Sequence, residues 1–247
     1  MNNNYCNASA HKKLINSQLS SFEKYKDLFV GRNNLFFFLK YELIVSLFSS
    51  FPGGIGYFLR KIFYPLICNR IGKGVVLGRN LTIRHPHKIT IGENSYIDDN
   101  VVLDAKGKDN QGIVIGKNVY IGRNTIISCK EGSIIIGDFT NISGNCYLLS
   151  ETHLKLGEYC FLAGQCYLVA GGNHSYKNKD VPIMFQPSYS KGGIEIGDDV
   201  WLGAGVIVLD GVKIKKGCVV GAGAVIKDSF DEYSVLAGVP AKIIGKR

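Results

Sequence analysis

From Ile196 to Ile226 an aliphatic side chain recurs at every sixth position: Ile196, Leu202, Val208, Ile214, Val220 and Ile226. Gly197, Gly203 and Gly221 directly follow three of them. A period of six matches neither the helical period nor the alternation of an ordinary strand. It fits a solenoid in which six residues make one short flat face and three faces make one triangular coil. Stacking such coils gathers the sixth-position side chains into an apolar column, and glycine tolerates the corner conformations that a β-carbon resists.

The same spacing returns in threes earlier in the chain: Ile71, Leu77, Ile83; Ile91, Ile97, Leu103; Ile115, Ile121, Ile127; Ile136, Ile142, Leu148; and Leu156, Leu162, Leu168. The pattern predicts an all-β solenoid, a parallel β-helix of about seven coils. Departures from six occur only between successive triplets, so every insertion is expected at one corner of the prism. A second inward position, four residues after each aliphatic, is expected to be small because it packs near a corner. Cys146, Cys160, Cys166 and Cys218 all fall there, which makes them compact core residues rather than disulfide or metal ligands. No CxxC pair occurs, Cys6, Cys68 and Cys129 are scattered, and reduced cytoplasmic thiols are the expectation.

The pattern divides the chain into an N-terminal helical region over 1–70, a β-helix over 71–230 carrying a loop at 169–195, and a C-terminal segment over 231–247. The chain opens without a basic stretch followed by an apolar one and a small-residue cleavage site, so a secretory leader is not expected. Of the formal charge of +9, most precedes the β-helix, where Glu23, Asp27 and Glu42 are the acids facing ten Lys or Arg within 1–74. The same region holds the aromatic run Leu35-Phe36-Phe37-Phe38-Leu39, broken by Lys40 and Glu42 before it could span a bilayer. Two readings of it stand. It is a helical cap over the open end of the solenoid, or it is a peripheral membrane contact through residues 28–60, with Arg32, Lys40, Arg60, Lys61 and Arg70 facing anionic headgroups. No nucleic-acid-binding module is recognisable, so nucleic acid is not an expected partner.

Between Leu168 and Ile196 the chain carries its longest insertion, with Gly171-Gly172-Asn173-His174-Ser175-Tyr176 near its start. A long loop on a strict solenoid is a place for chemistry. His174 lies six residues after Leu168, so it leaves the stack at the prism edge rather than at a loop tip. An imidazole there suits proton removal near neutrality.

The triplets, the Asn173-His174 loop, Trp201 within Ile196-Gly197-Asp198-Asp199-Val200-Trp201-Leu202-Gly203-Ala204, the Gly221-Ala222-Gly223-Ala224 turn and the ending Ala237-Gly238-Val239-Pro240-Ala241-Lys242 resemble the hexapeptide-repeat acetyltransferases. The similar branch holds the galactoside, maltose and xenobiotic acetyltransferases and the sugar O-acetyltransferases of bacterial surface-polysaccharide pathways. The resemblance implies a left-handed coil, against the usual right-handed crossover, and a homotrimer with active sites between neighbouring prisms. It also implies acetyl-CoA as co-substrate, with no metal. His174 then corresponds to the general base. Glu151 falls where the galactoside branch has an acceptor-binding aspartate, and Ser143 replaces its active-site asparagine, with Asn145 two residues on. Trp201 matches a tryptophan lining the acyl pocket, and Ala204 and Ala222 match backbone contacts along the pantetheine arm. Lys227, Lys242 and Lys246 or Arg247 are candidates for the phosphates.

The resemblance favours O-acetylation of a sugar hydroxyl on a polysaccharide or lipid-linked glycan. An amino-sugar nitrogen and a small serine-type hydroxyl are alternatives, and a non-catalytic scaffold is a further one. Three-histidine zinc ligation, as in the γ-type carbonic anhydrases that share this prism, would need partners for His174 that His85-Pro86-His87 is too distant to supply.

Overall fold

The computed structural model describes residues 19–247. Cys6, His11 and the rest of residues 1–18 lie outside the described residues. The remainder is a left-handed parallel β-helix of seven full coils and the start of an eighth, preceded by three helices. Each coil contributes one short strand to each of three faces. Face one runs from Arg70–Ile71 to Lys213–Ile214, face two from Val76–Leu77 to Val219–Val220, and face three from Thr82–Arg84 to Val225–Ile226. The solenoid continues past Ile226. Phe230 bridges to Ile214, Ser234–Gly238 extends face two, and Ala241–Lys246 folds back antiparallel on it.

The six-residue period becomes three buried columns, one per face. On face two Leu77, Ile97, Ile121, Ile142, Leu162, Leu202, Val220 and Leu236 stack in direct register and are all buried. Each such side chain contributes about 1.5–3 kcal/mol through burial. The small second positions are buried as expected, Cys146, Cys160, Cys166 and Cys218 among them. Burial pushes the Cys68 and Cys129 thiols up to about 12 and Cys160 up to about 11, which leaves them protonated and unreactive at neutral pH. The chain turns the corners between faces one and two and between faces two and three through left-handed residues. Between faces two and three these are Asn80, Asn100, Asn124, Asn145 and Gln165, then Gly205 and Gly223. Asparagine and glycine are the residues that adopt this conformation at least cost.

Adjacent coils exchange backbone hydrogen bonds in both directions: Gly78 N and Tyr96 N donate forward to Ile97 O and Val119 O, and Asn94 N and Asn100 N donate back to Lys73 O and Arg79 O. The first-coil carbonyls turned away from the second coil, those of Leu77, Leu81 and Ile83 among them, have no preceding coil to serve them. The helices α1 (Ser21–Phe29), α2 (Leu35–Phe48) and α3 (Gly53–Phe63) supply the missing donors. Arg60 Nε donates to Leu77 O, Ser49 Oγ to Leu81 O and Tyr41 Oη to Ile83 O. Arg60 is 3% exposed and also donates through Nη1 to Phe48 O and Phe51 O. This corrects the expectation that Arg60 faces headgroups: a guanidinium whose fork meets three otherwise orphaned carbonyls is held inward.

His85 and His87 follow face three of the first coil, beneath these helices. His87 meets the Phe37 ring edge-on at 6.1 Å. Burial pushes its imidazole down to about 4, and Arg32, His85 and Lys88 add repulsion. The native ring is thus neutral at pH 7, whereas in the unfolded chain it protonates near about 6.5. Between those values the unfolded state binds the extra proton, so stability is full above about pH 6.5 and declines as pH falls toward about 4. Thermal midpoints measured from pH 7.5 to 4 should fall over that window, and His87→Phe should make the fall shallower.

Candidate active site

The long insertion leaves at the edge between faces three and one, where all the shorter insertions also lie. The exit is built around Glu151 and a glycine pair. Gly171 has φ 115°, and a β-carbon on it would sit 2.6 Å from Glu151 Cβ. The carboxylate Oε2 of Glu151 accepts the Gly172 N–H at 2.9 Å. Immediately beyond, Asn173–His174 pairs antiparallel with Ser188–Tyr189, and Ser175 N donates to Pro187 O at 2.9 Å. His174 therefore sits on a two-stranded ribbon at the prism edge, with its side chain exposed.

Two buried polar side chains hold this loop, and the sequence reading found neither. Gln186, 4% exposed, donates from Nε2 to Asn178 O at 2.6 Å and Val181 O at 2.8 Å. Asp210, also 4% exposed, closes the base. It accepts from Asn173 Nδ2 at 2.8 Å, Lys191 N at 2.6 Å, Gly193 N at 2.9 Å and Ser190 Oγ at 3.2 Å. One carboxylate thus fastens the residue beside His174 to the point where the chain re-enters the coil. The register shows what could have revealed it. Cys129, Ser150 and Ala170 stack as a small buried column at this edge. Because Leu168 pairs with Val208, Asp210 continues that column directly after the long insertion. A carboxylate in an inward small-residue position is the signal.

The other expected site residues lie elsewhere on the prism. Ser143, Asn145, Ala204 and Ala222 occupy the edge between faces two and three. Asn145 ends an amide ladder in which Asn80, Asn100 and Asn124 each donate Nδ2 to the next Oδ1, at 3.1, 3.2 and 3.2 Å. Above Gln165 the ladder gives way to Gly205 and Gly223, where a β-carbon would meet nothing within 4 Å. Ala204 and Ala222 are exposed there on consecutive coils, tied by Gly223 N to Ala204 O at 2.8 Å. Side chains thin out along this edge, leaving an open backbone shelf. Trp201, 50% exposed, stands on face two between Phe161 and Val219. Face two lies opposite the edge that bears His174, so a single chain does not bring Trp201 and His174 together.

Most of the candidate phosphate-binding cations already have partners. Lys227 pairs with Asp228 at 2.8 Å, Arg247 with Asp199 at 2.9 Å, and Lys246 donates to Glu232 O and Ser234 Oγ. Lys242 is exposed on the last strand. Among the described residues, no group of three His, Cys, Asp or Glu is placed to hold a metal ion.

Residues 193–228 match the bacterial transferase hexapeptide family, six repeats, and residues 69–105 and 112–150 match the hexapeptide repeat of succinyl-transferase. WbbJ of Escherichia coli K12, whose name places it in lipopolysaccharide biosynthesis as an O-acetyl transferase, is 30% identical over 170 residues. That alignment covers 66% of this chain and 74% of WbbJ. The dTDP-4-amino-4,6-dideoxy-D-glucose acyltransferase of Escherichia coli is 29% identical over 177 residues, covering 72% of this chain and 81% of that protein. Among solved structures, the polysialic acid O-acetyltransferase OatWY superposes with a TM-score of 0.53 at 25% identity, covering 72% of this chain and 82% of its own. AntD, an N-acyltransferase from Bacillus cereus solved with dTDP-4-amino-4,6-dideoxyglucose and coenzyme A, superposes with a TM-score of 0.52 at 23% identity, covering 81% and 91%. The chain belongs to the hexapeptide-repeat transferases. By class it is an acyltransferase.

The loop clamp has a measurable consequence. Asp210→Ala leaves the Lys191 and Gly193 N–H groups and the Asn173 amide without their acceptor, a loss of about 2–3 kcal/mol. Asp210→Asn would not repair it, because each carboxylate oxygen receives at least one N–H. Limited trypsin digestion should cut faster at Lys177, Lys179 and Lys191 in Asp210→Ala while the coils stay intact, and the thermal midpoint should drop.

Proposed function

We propose that this chain is an acetyl-CoA-dependent O-acetyltransferase acting on a sugar hydroxyl of a polysaccharide or lipid-linked glycan. It works as a homotrimer whose sites form between neighbouring prisms. The observation that carries the reading is the division of the expected site across one molecule. His174 and Glu151 hang from one edge, while Trp201, Ala204 and Ala222 lie on the opposite face and the edge beside it. A neighbouring copy packed in parallel is what unites the two halves.

In that cleft His174 acts as general base. It takes the proton of the acceptor hydroxyl as that oxygen attacks the thioester carbonyl carbon of acetyl-CoA. The tetrahedral oxyanion collapses with cleavage of the C–S bond, the acetyl ester leaves on the sugar, and the imidazolium returns its proton to the departing thiolate. No acyl-enzyme is required. A backbone N–H near Ala204 is the candidate donor to the oxyanion. The bare shelf at Gly205 and Gly223 admits the thin pantetheine arm close to the backbone, with Trp201 lining the acyl end. Lys227 and Lys242 meet the phosphates, Lys227 by exchanging Asp228 for them. Glu151, with one carboxylate oxygen held by Gly172 N, keeps the other for an acceptor hydroxyl, and Ser143 and Asn145 contribute from the neighbouring edge.

Oxygen rather than nitrogen as acceptor is supported by the names of WbbJ and OatWY. The amino-sugar acyltransferase relative, at similar identity and greater coverage, supports the alternative of N-acylation. Among the described residues no helix is long and apolar enough to cross a membrane. A cytoplasmic protein meeting its acceptor at the inner membrane face completes the reading.

Free-thiol release from acetyl-CoA, measured against glycan repeat units, amino sugars linked to nucleotides and serine, should identify hydroxyl acceptors. His174→Ala should lose about 10²–10⁴-fold in turnover while remaining trimeric. Mixed trimers assembled from inactive His174→Ala and inactive Trp201→Ala chains should recover activity, because some interfaces then pair an intact histidine with an intact tryptophan. A mixture no more active than its parents would overturn the intersubunit site.

A further inference from the structure

Helix α2 is apolar on both sides. Phe37, Phe38, Tyr41 and Ile44 turn toward the first coil and are buried. On the opposite side Phe36, Leu39 and Leu43 are 77%, 57% and 60% exposed. Helix α3 adds a second apolar outer side. Gly56 and Arg60 face inward, and Ile55, Phe58 and Ile62 face out. The donors that cap the first coil account for the inner sides only. A helix that is hydrophobic all round needs an apolar neighbour on its second side as well, and a patch of this extent on a soluble surface marks an interaction site.

The charges around the patch choose the occupant. Glu42 is the one carboxylate between Gly31 and Gly92, and it is engaged by Tyr25 Oη at 2.7 Å. Arg32 and Lys40 lie over the Phe37 ring at 4.9 and 5.5 Å, and Lys61 lies over Tyr57 at 5.9 Å. Their cationic heads lie over aromatic rings of these same helices, on long stems of the kind by which basic side chains reach headgroups beside an inserted face. We infer that the outer faces of α2 and α3 form a docking surface for an anionic phospholipid bilayer, with Arg32, Lys40 and Lys61 on the headgroups and the six apolar side chains at the acyl boundary. The surface sits at the capped end of the prism, away from the late coils that bear His174 and Trp201, so docking leaves the catalytic edge clear of lipid. Resting here on the proposed trimer of parallel prisms, three such faces share one end and engage one plane together.

Co-sedimentation of the full chain with vesicles of phosphatidylcholine containing 30% phosphatidylglycerol is the test. Binding should be at least tenfold stronger than to phosphatidylcholine alone and should weaken with added salt. Leu39→Ser/Leu43→Ser, at exposed positions, should lose at least tenfold on the anionic vesicles, with trimer mass and thermal stabilisation by acetyl-CoA unchanged. Lys40→Glu/Lys61→Glu should lose as much and shed the salt dependence, which keeps the proposal testable if the serine pair misfolds. Wild-type protein left in the supernatant overturns the inference. So does equal partitioning of all variants, or dissociation of the oligomer by the serine pair, which would assign the patch to a second copy of this chain. Failed acetyl-CoA stabilisation with intact vesicle binding would count against the catalytic reading alone.

Discussion

Everything in this molecule depends on one hydrogen-bonding rule: neighbouring coils exchange backbone hydrogen bonds in both directions, without a shift in register. That rule requires the same number of residues per face in every coil, which is why the aliphatic columns repeat at six. It places a left-handed residue at each of the two tight corners, which asparagine or glycine supplies at most of them. It also leaves unpaired backbone groups at both ends of the stack, on the first coil and on the last, and each end needs its own covering. Arg60, Ser49 and Tyr41 answer the first need, and the terminal hairpin Ser234–Lys246 answers the second.

A scaffold so regular has little interior room for reactive groups. Its core is aliphatic columns and small buried side chains, so chemistry is displaced to the outside of the prism. The three edges are not equivalent in this respect. The edge between faces two and three is a ruled line of amides that empties into glycine, suited to a long thin ligand lying against backbone. The edge between faces three and one is where the chain can lengthen, and it alone carries the ribbon with His174. Both features lie at the late coils, far from the helices.

The fold was legible in the sequence because a period held in phase over many coils leaves no competing assignment. The small inward column was equally legible, and with it the fate of Cys146, Cys160, Cys166 and Cys218. Position at the prism edge could be counted for His174, since the insertion begins a fixed number of residues after Leu168. What could not be counted were contacts formed across the loop. Asp210 lies beyond the insertion in the chain, and its four donors come from both ends of the excursion. Gln186 looked like one polar residue among many, although it is the buried centre of its own segment. Arg60 misled for a related reason. Its exposed neighbours in sequence gave no sign of the inward pull, which comes from the carbonyls of Phe48, Phe51 and Leu77.

The clamp at Asp210 gathers both ends of the excursion onto a single point next to Val208. The segment between those ends behaves as a cassette, whose length and side chains can be exchanged without moving any strand by a residue. Side chains carried by the cassette can therefore diverge while the bare backbone shelf at the other edge stays as it is, and one prism can present unlike surfaces by changing what is threaded through one corner.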